Sequence, residues 1–258
     1  MFSMRIYFKQ GGVNMEYVLI FFIGICATTL GTLAGGGGLI SLPAMLLMGI
    51  PVHSAIGANK VSNTVSSFSS FFHLYKKKEI SLQESLWMIP VSISGGISGG
   101  FIASKISEEN MYLIAVFLLV FAFIASFIGK KDFTGDAQLK LNKISASGLY
   151  GIGIYDGLFG PGQGTLMLYL FGHLNISYLR AVGFVRLATF SSCLGAAVTY
   201  ISTGKIIWPF TLVLLFGSVI GAQTGVRIAK KLKPKYVKPI LRTVTIALII
   251  QIVVNKVL

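Results

Sequence analysis

Residues 34–43 read "AGGGGLISLP", between the apolar stretches "VLIFFIGICATTLGTL" and "AMLLMGI". Each glycine costs a helix up to about 1 kcal/mol relative to alanine, so four in a row, Gly35, Gly36, Gly37 and Gly38, interrupt what otherwise reads as a membrane helix. The run after the break, 39 to 50, is about half the ~20 residues a span needs. A second short run, 163 to 172, follows "GPGQG" at 160–164. Both read as half-helices entered through a glycine-rich turn.

The rest of the chain agrees with a membrane setting. Of 258 residues, 54% are hydrophobic and 12% charged, against roughly a quarter charged in soluble domains. Further apolar runs fall at 17–33, 55–75, 86–104, 111–129, 144–160, 181–201, 206–228 and 238–255. The expected class is an all-α, polytopic integral membrane protein with about 8–10 transmembrane or half-membrane helices. The net charge of +14 sits in short loops between the runs, where it sets orientation rather than binding nucleic acid. Residues 1–14 lack the apolar core and cleavage site of a signal peptide, and Met15 is a second candidate start. Cys26 and Cys193 have no ligand-type spacing and are expected to be reduced packing residues. His53, His73 and His173 fall near span ends and are expected at the interface. Neither a metal nor another cofactor is implied.

Shifting the chain by 126 positions exposes a duplication. Gly31 to Lys105 against Gly157 to Lys231 align without a gap, with 16 identities in 75 positions, where composition alone gives about one in twelve. Glycines pair at 31/157, 36/162, 38/164, 57/183, 95/221 and 99/225. The chain therefore divides into an extension (1–14), a first repeat (15–129), a polar linker (130–143) and a second repeat (144–258). Basic loops at 76–79, in the linker and at 230–238 are expected in the cytoplasm, and the poorer loops at 105–110 and 203–205 outside. Matching positions thus have opposite preference, which favours an inverted repeat. A parallel four-plus-four arrangement stays open, because the short runs leave the crossing count ambiguous.

Paired breaks in an inverted repeat are the pattern of secondary transporters, whose discontinuous helices present their ends near the bilayer midplane. Freed backbone groups there must meet protein or a solute, and a helix N-terminus suits an anion. Lys60 and Arg186 occupy one repeat position, each about five residues into an apolar run, and intramembrane cations mark function. The substrate-binding candidates are Gly35, Gly36, Gly37, Gly38, Asn59, Lys60, Asn63, Asp156, Pro161, Gly162, Gln163, Gly164, Thr165, Arg186 and Thr189. Asp156 is the only carboxylate within an apolar core and is expected to pair with a cation or carry a coupling proton. Gln223 is a secondary candidate. No enzyme signature such as His-Glu-x-x-His or Gly-x-Ser-x-Gly is present.

The stretches "GTLAGGGGLISLPAMLLMGIPVHSAIG" (31–57) and "GLFGPGQGTLMLYLFGHLNISYLRAVG" (157–183), with "GKIIWP" (204–209) and "GSVIGAQTGVRIAKKL" (217–232), resemble the TauE/SafE sulfite-exporter family, also called toluene sulfonate uptake permeases. The chain departs from the family pattern at "GPGQG", at Tyr169 and at "GANK" and "GFVR". The resemblance implies a carrier of a small anion, such as sulfite, sulfoacetate or another organosulfonate, in the cytoplasmic membrane. The expected mechanism is alternating access around the paired breaks, with a coupling proton or Na+ as further candidate partner. An anion channel and a membrane assembly protein are the competing classes.

Overall fold

The computed structural model of the chain describes residues 13–34, 37–77, 80–125, 127, 135, 137–229, 242–243, 246–247 and 250. Among these residues ten helices follow one another: α1 (Val13–Ala34), α2 (Gly38–Leu47), α3 (Val52–Lys76), α4 (Leu82–Ser85), α5 (Met88–Lys105), α6 (Glu108–Ala125), α7 (Lys143–Leu158), α8 (Gln163–His173), α9 (Tyr178–Ser202) and α10 (Trp208–Ala229). No strand occurs among the described residues. The apolar run 238–255 and the basic segment 230–238 lie almost wholly outside those residues. Among the described residues, five helical stretches are long and apolar enough to cross a membrane.

The helices repeat with the sequence. Adding 126 to the bounds of α3 gives those of α9, and α2 ends at Leu47 where α8 ends at His173. The turn after each half-helix recurs bond for bond. Ile50 N donates to Met45 O at 3.1 Å and Gly49 N to Leu46 O at 3.0 Å; Ile176 N donates to Phe171 O at 3.1 Å and Asn175 N to Gly172 O at 3.2 Å. The 50-to-45 and 176-to-171 bonds are the 6→1 bond of a Schellman turn, whose residue just before the donor takes the left-handed conformation. Gly49 (φ 77°) and Asn175 (φ 56°) occupy that place, and Asn175 is the one non-glycine residue with positive φ among the described residues. Asparagine tolerates this region better than other side chains.

Packing between the halves is reciprocal. α10 lies on α1, whereas its counterpart α5 lies on α7. Both contacts run through small residues: a Cβ on Gly221 would strike Ile25 O, and one on Gly95 would strike Tyr150 O. Helices of this kind approach closely because glycine lets the backbones meet. At the centre α3 packs on α9. Gly57 near the start of α3 meets Ile206 just past α9, and Gly183 near the start of α9 meets Ile80 just past α3. The start of each central helix therefore lies beside the end of the other.

Apolar exposure identifies the outer layer. On α6, Leu113, Phe117, Phe121 and Ile124 are exposed while Met111, Ala115, Leu119 and Ala122 are buried. The bulkiest residues, Phe117 and Phe121, face outward and the two alanines inward, as expected of a helix with lipid on one side. α9 is the most enclosed of the long helices. Buried polar side chains concentrate on α3 and α9.

Candidate functional site

The two breaks converge. α2 starts after Gly37 and α8 after Gly162, whose φ of 83° is left-handed. A Cβ on Gly38 would lie 3.1 Å from Cα of Pro161, so the turns of the two halves touch. Gly37, Gly38, Gly162, Gln163 and Gly164 line a single small cavity together with Asn59, Asn63, Asp156, Arg186 and Thr189. Its volume is about 40 Å³; at roughly 10–15 Å³ per water-sized sphere this is room for about three, the scale of one small oxyanion. Gly35 and Gly36 lie outside the described residues. Pro161 and Thr165 belong to the turn and first turn of α8 but not to the lining.

The two cations stand deeper than their apolar runs suggest. α3 begins at Val52 and α9 at Tyr178, so Lys60 and Arg186 each sit eight residues in, or ~12 Å at 1.5 Å per residue. The helices start early because Pro51 and Ser177 end the preceding turns in extended conformation, and Val52 and Tyr178 then wind directly into helix.

Their environments differ. Lys60 is fully buried, and its Nζ lies 2.9 Å from Asp156 Oδ1; it is not part of the cavity lining. Asp156 Oδ2 accepts from Ser192 Oγ at 2.5 Å and from Cys193 Sγ at 3.3 Å. Arg186, 8% exposed, donates from Nη2 to Gly31 O at 2.7 Å, while its buried Nε has no hydrogen-bond partner. Each cation thus reaches the last turn of the first helix of the other half, where the helix dipole is negative. One difference between the halves decides their charge balance: Asp156 corresponds to Leu30 in the 126-residue register. The first cation has a carboxylate, and among the described residues the second has none.

A polar network surrounds this core. Asn59 Nδ2 donates to Ser41 Oγ at 2.6 Å and Asn63 Nδ2 to Asn59 Oδ1 at 2.6 Å. Thr189 Oγ1 donates to Gln163 Oε1 at 3.1 Å. Tyr155 Oη donates to Pro161 O at 2.5 Å and holds the second turn. Gly160, with φ of 104°, packs against both Lys60 Nζ and Asp156 Oδ1 and has no room for a Cβ.

Other candidates fall elsewhere. Gln223 donates to Ser69 O at 3.2 Å and packs α10 on α3. His53, at the start of α3, is buried in the protein: it is 1% exposed, with Nδ1 2.6 Å from Glu108 Oε2 and Nε2 2.9 Å from Ala103 O. It is buried because the early start of α3 carries it against the α5–α6 connection. Cys193 is buried against Asp156, whereas Cys26 faces outward from α1 and packs no core. Among the described residues no group of three His, Cys, Asp or Glu side chains is placed to hold a metal.

Ser192, Cys193, Gly160, Gly31, Ser41 and Ser218 belong to the site or its frame without having been among the binding candidates read from the sequence. A signal existed for three of them, Gly31 being paired with Gly157 in the repeat. Ser66/Ser192 and Ser92/Ser218 are identical pairs in the repeat, and identities other than glycine pointed to something besides packing.

The family model described as "Sulfite exporter TauE/SafE" matches residues 20–252. The chain belongs to the TauE/SafE family. A probable membrane transporter protein, ORF9, of Sinorhizobium is 31% identical over 250 residues, covering 94% of this chain and 95% of its own. YfcA of Escherichia coli K12, also named a probable membrane transporter protein, is 26% identical over 226 residues, covering 86% and 84%. A Haemophilus influenzae relative of the same description is 26% identical over 236 residues, covering 88% and 90%. No solved structure matches. This TauE/SafE member is a multi-pass membrane transporter and not an enzyme.

Proposed function

We propose that the protein carries a small oxyanion, a sulfur oxyanion or organosulfonate such as sulfite or sulfoacetate, across the cytoplasmic membrane by alternating access around the cavity at the paired breaks. The observation that carries this reading is Arg186: a guanidinium buried ~12 Å into its helix, on the wall of the cavity, with no carboxylate partner among the described residues. An intramembrane cation left without a counter-ion is costly and functional by default. Guanidinium holds two oxygens of a planar or pyramidal anion at once. The starts of α2 and α8 add the positive ends of two helix dipoles to the same wall. The family's description as sulfite exporters supports sulfur over carbon or phosphorus in the substrate.

The reciprocal contacts of α3 and α9 support the inverted arrangement of the repeats, in which two similar half-structures exchange roles as inward and outward gates. A thermal-shift screen of purified protein against small anions tests the reading. A ligand that binds only the folded state raises apparent stability by mass action. Stabilisation by sulfite or a sulfonate, lost in Arg186→Gln, is expected; stabilisation by carboxylates or phosphate alone overturns the sulfur assignment.

A further inference from the structure

We propose that the cavity takes up its anion together with a proton, and that Asp156 carries this proton. The proposal rests on the reading of the cavity as an anion site. A carboxylate on the wall of such a site is a contradiction unless its charge changes during the cycle. Asp156 lines the cavity and Lys60 does not, so an entering anion meets the carboxylate before the ammonium that balances it. A purely structural ion pair has no reason to present its negative member to the ligand.

The surroundings are built for both protonation states. In the charged state Oδ1 accepts from Lys60, and Oδ2 accepts from Ser192 and Cys193. Ser192 Oγ also lies 3.4 Å from Thr189 O. A hydroxyl both donates and accepts, so Ser192 can turn its proton to the Thr189 carbonyl and accept one from Oδ2. The neutral carboxyl then keeps its bond with no heavy atom displaced. Lys60 still donates to Oδ1, and its charge, no longer cancelled, adds to that of Arg186 at the anion. Anion and proton binding in one site are linked, and each favours the other by the same factor. The other titratable or charged groups around Asp156 are Cys193, Arg186 and Tyr200 on α9 and Tyr155 on its own helix. No histidine lines the cavity.

The test is calorimetry on the purified full chain with methanesulfonate, isethionate and sulfoacetate, which stay ionised across the neutral range, so any proton taken up belongs to the protein. Titrations at one pH in buffers of different ionisation enthalpy count the protons. About one proton per anion is expected, with affinity falling about tenfold for each unit of rising pH. Asp156→Asn, which imitates the neutral carboxyl, removes both effects. Where that variant fails to fold, Lys60→Met combined with Asp156→Asn supplies an uncharged pair for the same measurement. Binding without proton uptake, or binding that needs Na+ instead, overturns the coupling and leaves the anion site standing. Proton uptake that persists in the variants overturns the role of Asp156. No binding of any of the three anions overturns the sulfonate reading and the coupling with it.

Discussion

Lys60 of α3 and Asp156 of α7 form an ion pair at 2.9 Å with both side chains almost wholly enclosed. The pair joins the two halves of a duplicated chain, and nothing corresponds to it on the other side of the duplication, where Arg186 meets the carbonyl of Gly31. The duplication made two equivalent cations, and one aspartate made them different. Lys60 became the balanced partner, and Arg186 the buried charge on the cavity wall with no carboxylate among the described residues.

Arg186 is therefore expected to dominate anion affinity. Arg186→Gln weakens binding of the identified anion by roughly 1.5–3 kcal/mol, the value of a hydrogen bond to a charged group, or about ten- to a hundredfold. Arg186→Lys retains the charge but not the two-pronged donor set, and recovers only part of the loss. Calorimetry on monodisperse protein measures both, and unchanged affinity in Arg186→Gln removes the arginine from the site.

Breaking the ion pair from one side strands a buried charge. Lys60→Met and Asp156→Leu each lower stability by roughly 3–5 kcal/mol, whereas the double substitution recovers most of it. Denaturant melts in a single detergent, compared as a double-mutant cycle, give the coupling. Additive losses show that the two residues act independently.

Gly160 is expected to be intolerant of any side chain. Alanine there adds a Cβ against Lys60 Nζ and Asp156 Oδ1 and forces a φ of 104° on an L-residue. Gly49→Ala faces open space, so it incurs only the left-handed backbone, roughly 1–2 kcal/mol. Transport assays on membrane-inserted protein should find Gly160→Ala inactive and Gly49→Ala active; equal activity rules out a role for the second break.

Orientation follows from charge. With single cysteines in a background lacking Cys26 and Cys193, Ser107→Cys between α5 and α6 should react with an impermeant thiol reagent from outside, and Gln138→Cys in the linker only after permeabilisation. The reverse labelling pattern inverts the topology. The described part of the linker already lies at the α9 start, where Ala137 N donates to Asn175 O at 3.0 Å and Arg180 donates to Ala137 O at 3.1 Å.

Sequence alone determined what a bilayer imposes on local chemistry. Apolar runs must close their own hydrogen bonds as helices, so nine of the ten apolar runs, the two half-length members among them, reappear as helices among the described residues, while the four-residue α4 had no such signal; the 126-residue register was legible too, because glycines at crowded contacts admit no substitute. It also marked Lys60, Asp156 and Arg186, since charges within spans are rare for energetic reasons. It did not show that Lys60 and Asp156, 96 positions apart, face one another, or that Lys60 stands behind the cavity wall and Arg186 on it. Nor did it reveal Ser192, Cys193 and Gly160, whose roles exist only once α7 and α9 cross. Pairing across helices depends on helix rotation and depth, which packing of whole surfaces sets and no local pattern encodes. The tertiary structure alone decided which of the two repeat-equivalent cations pairs with a carboxylate and which lines the cavity.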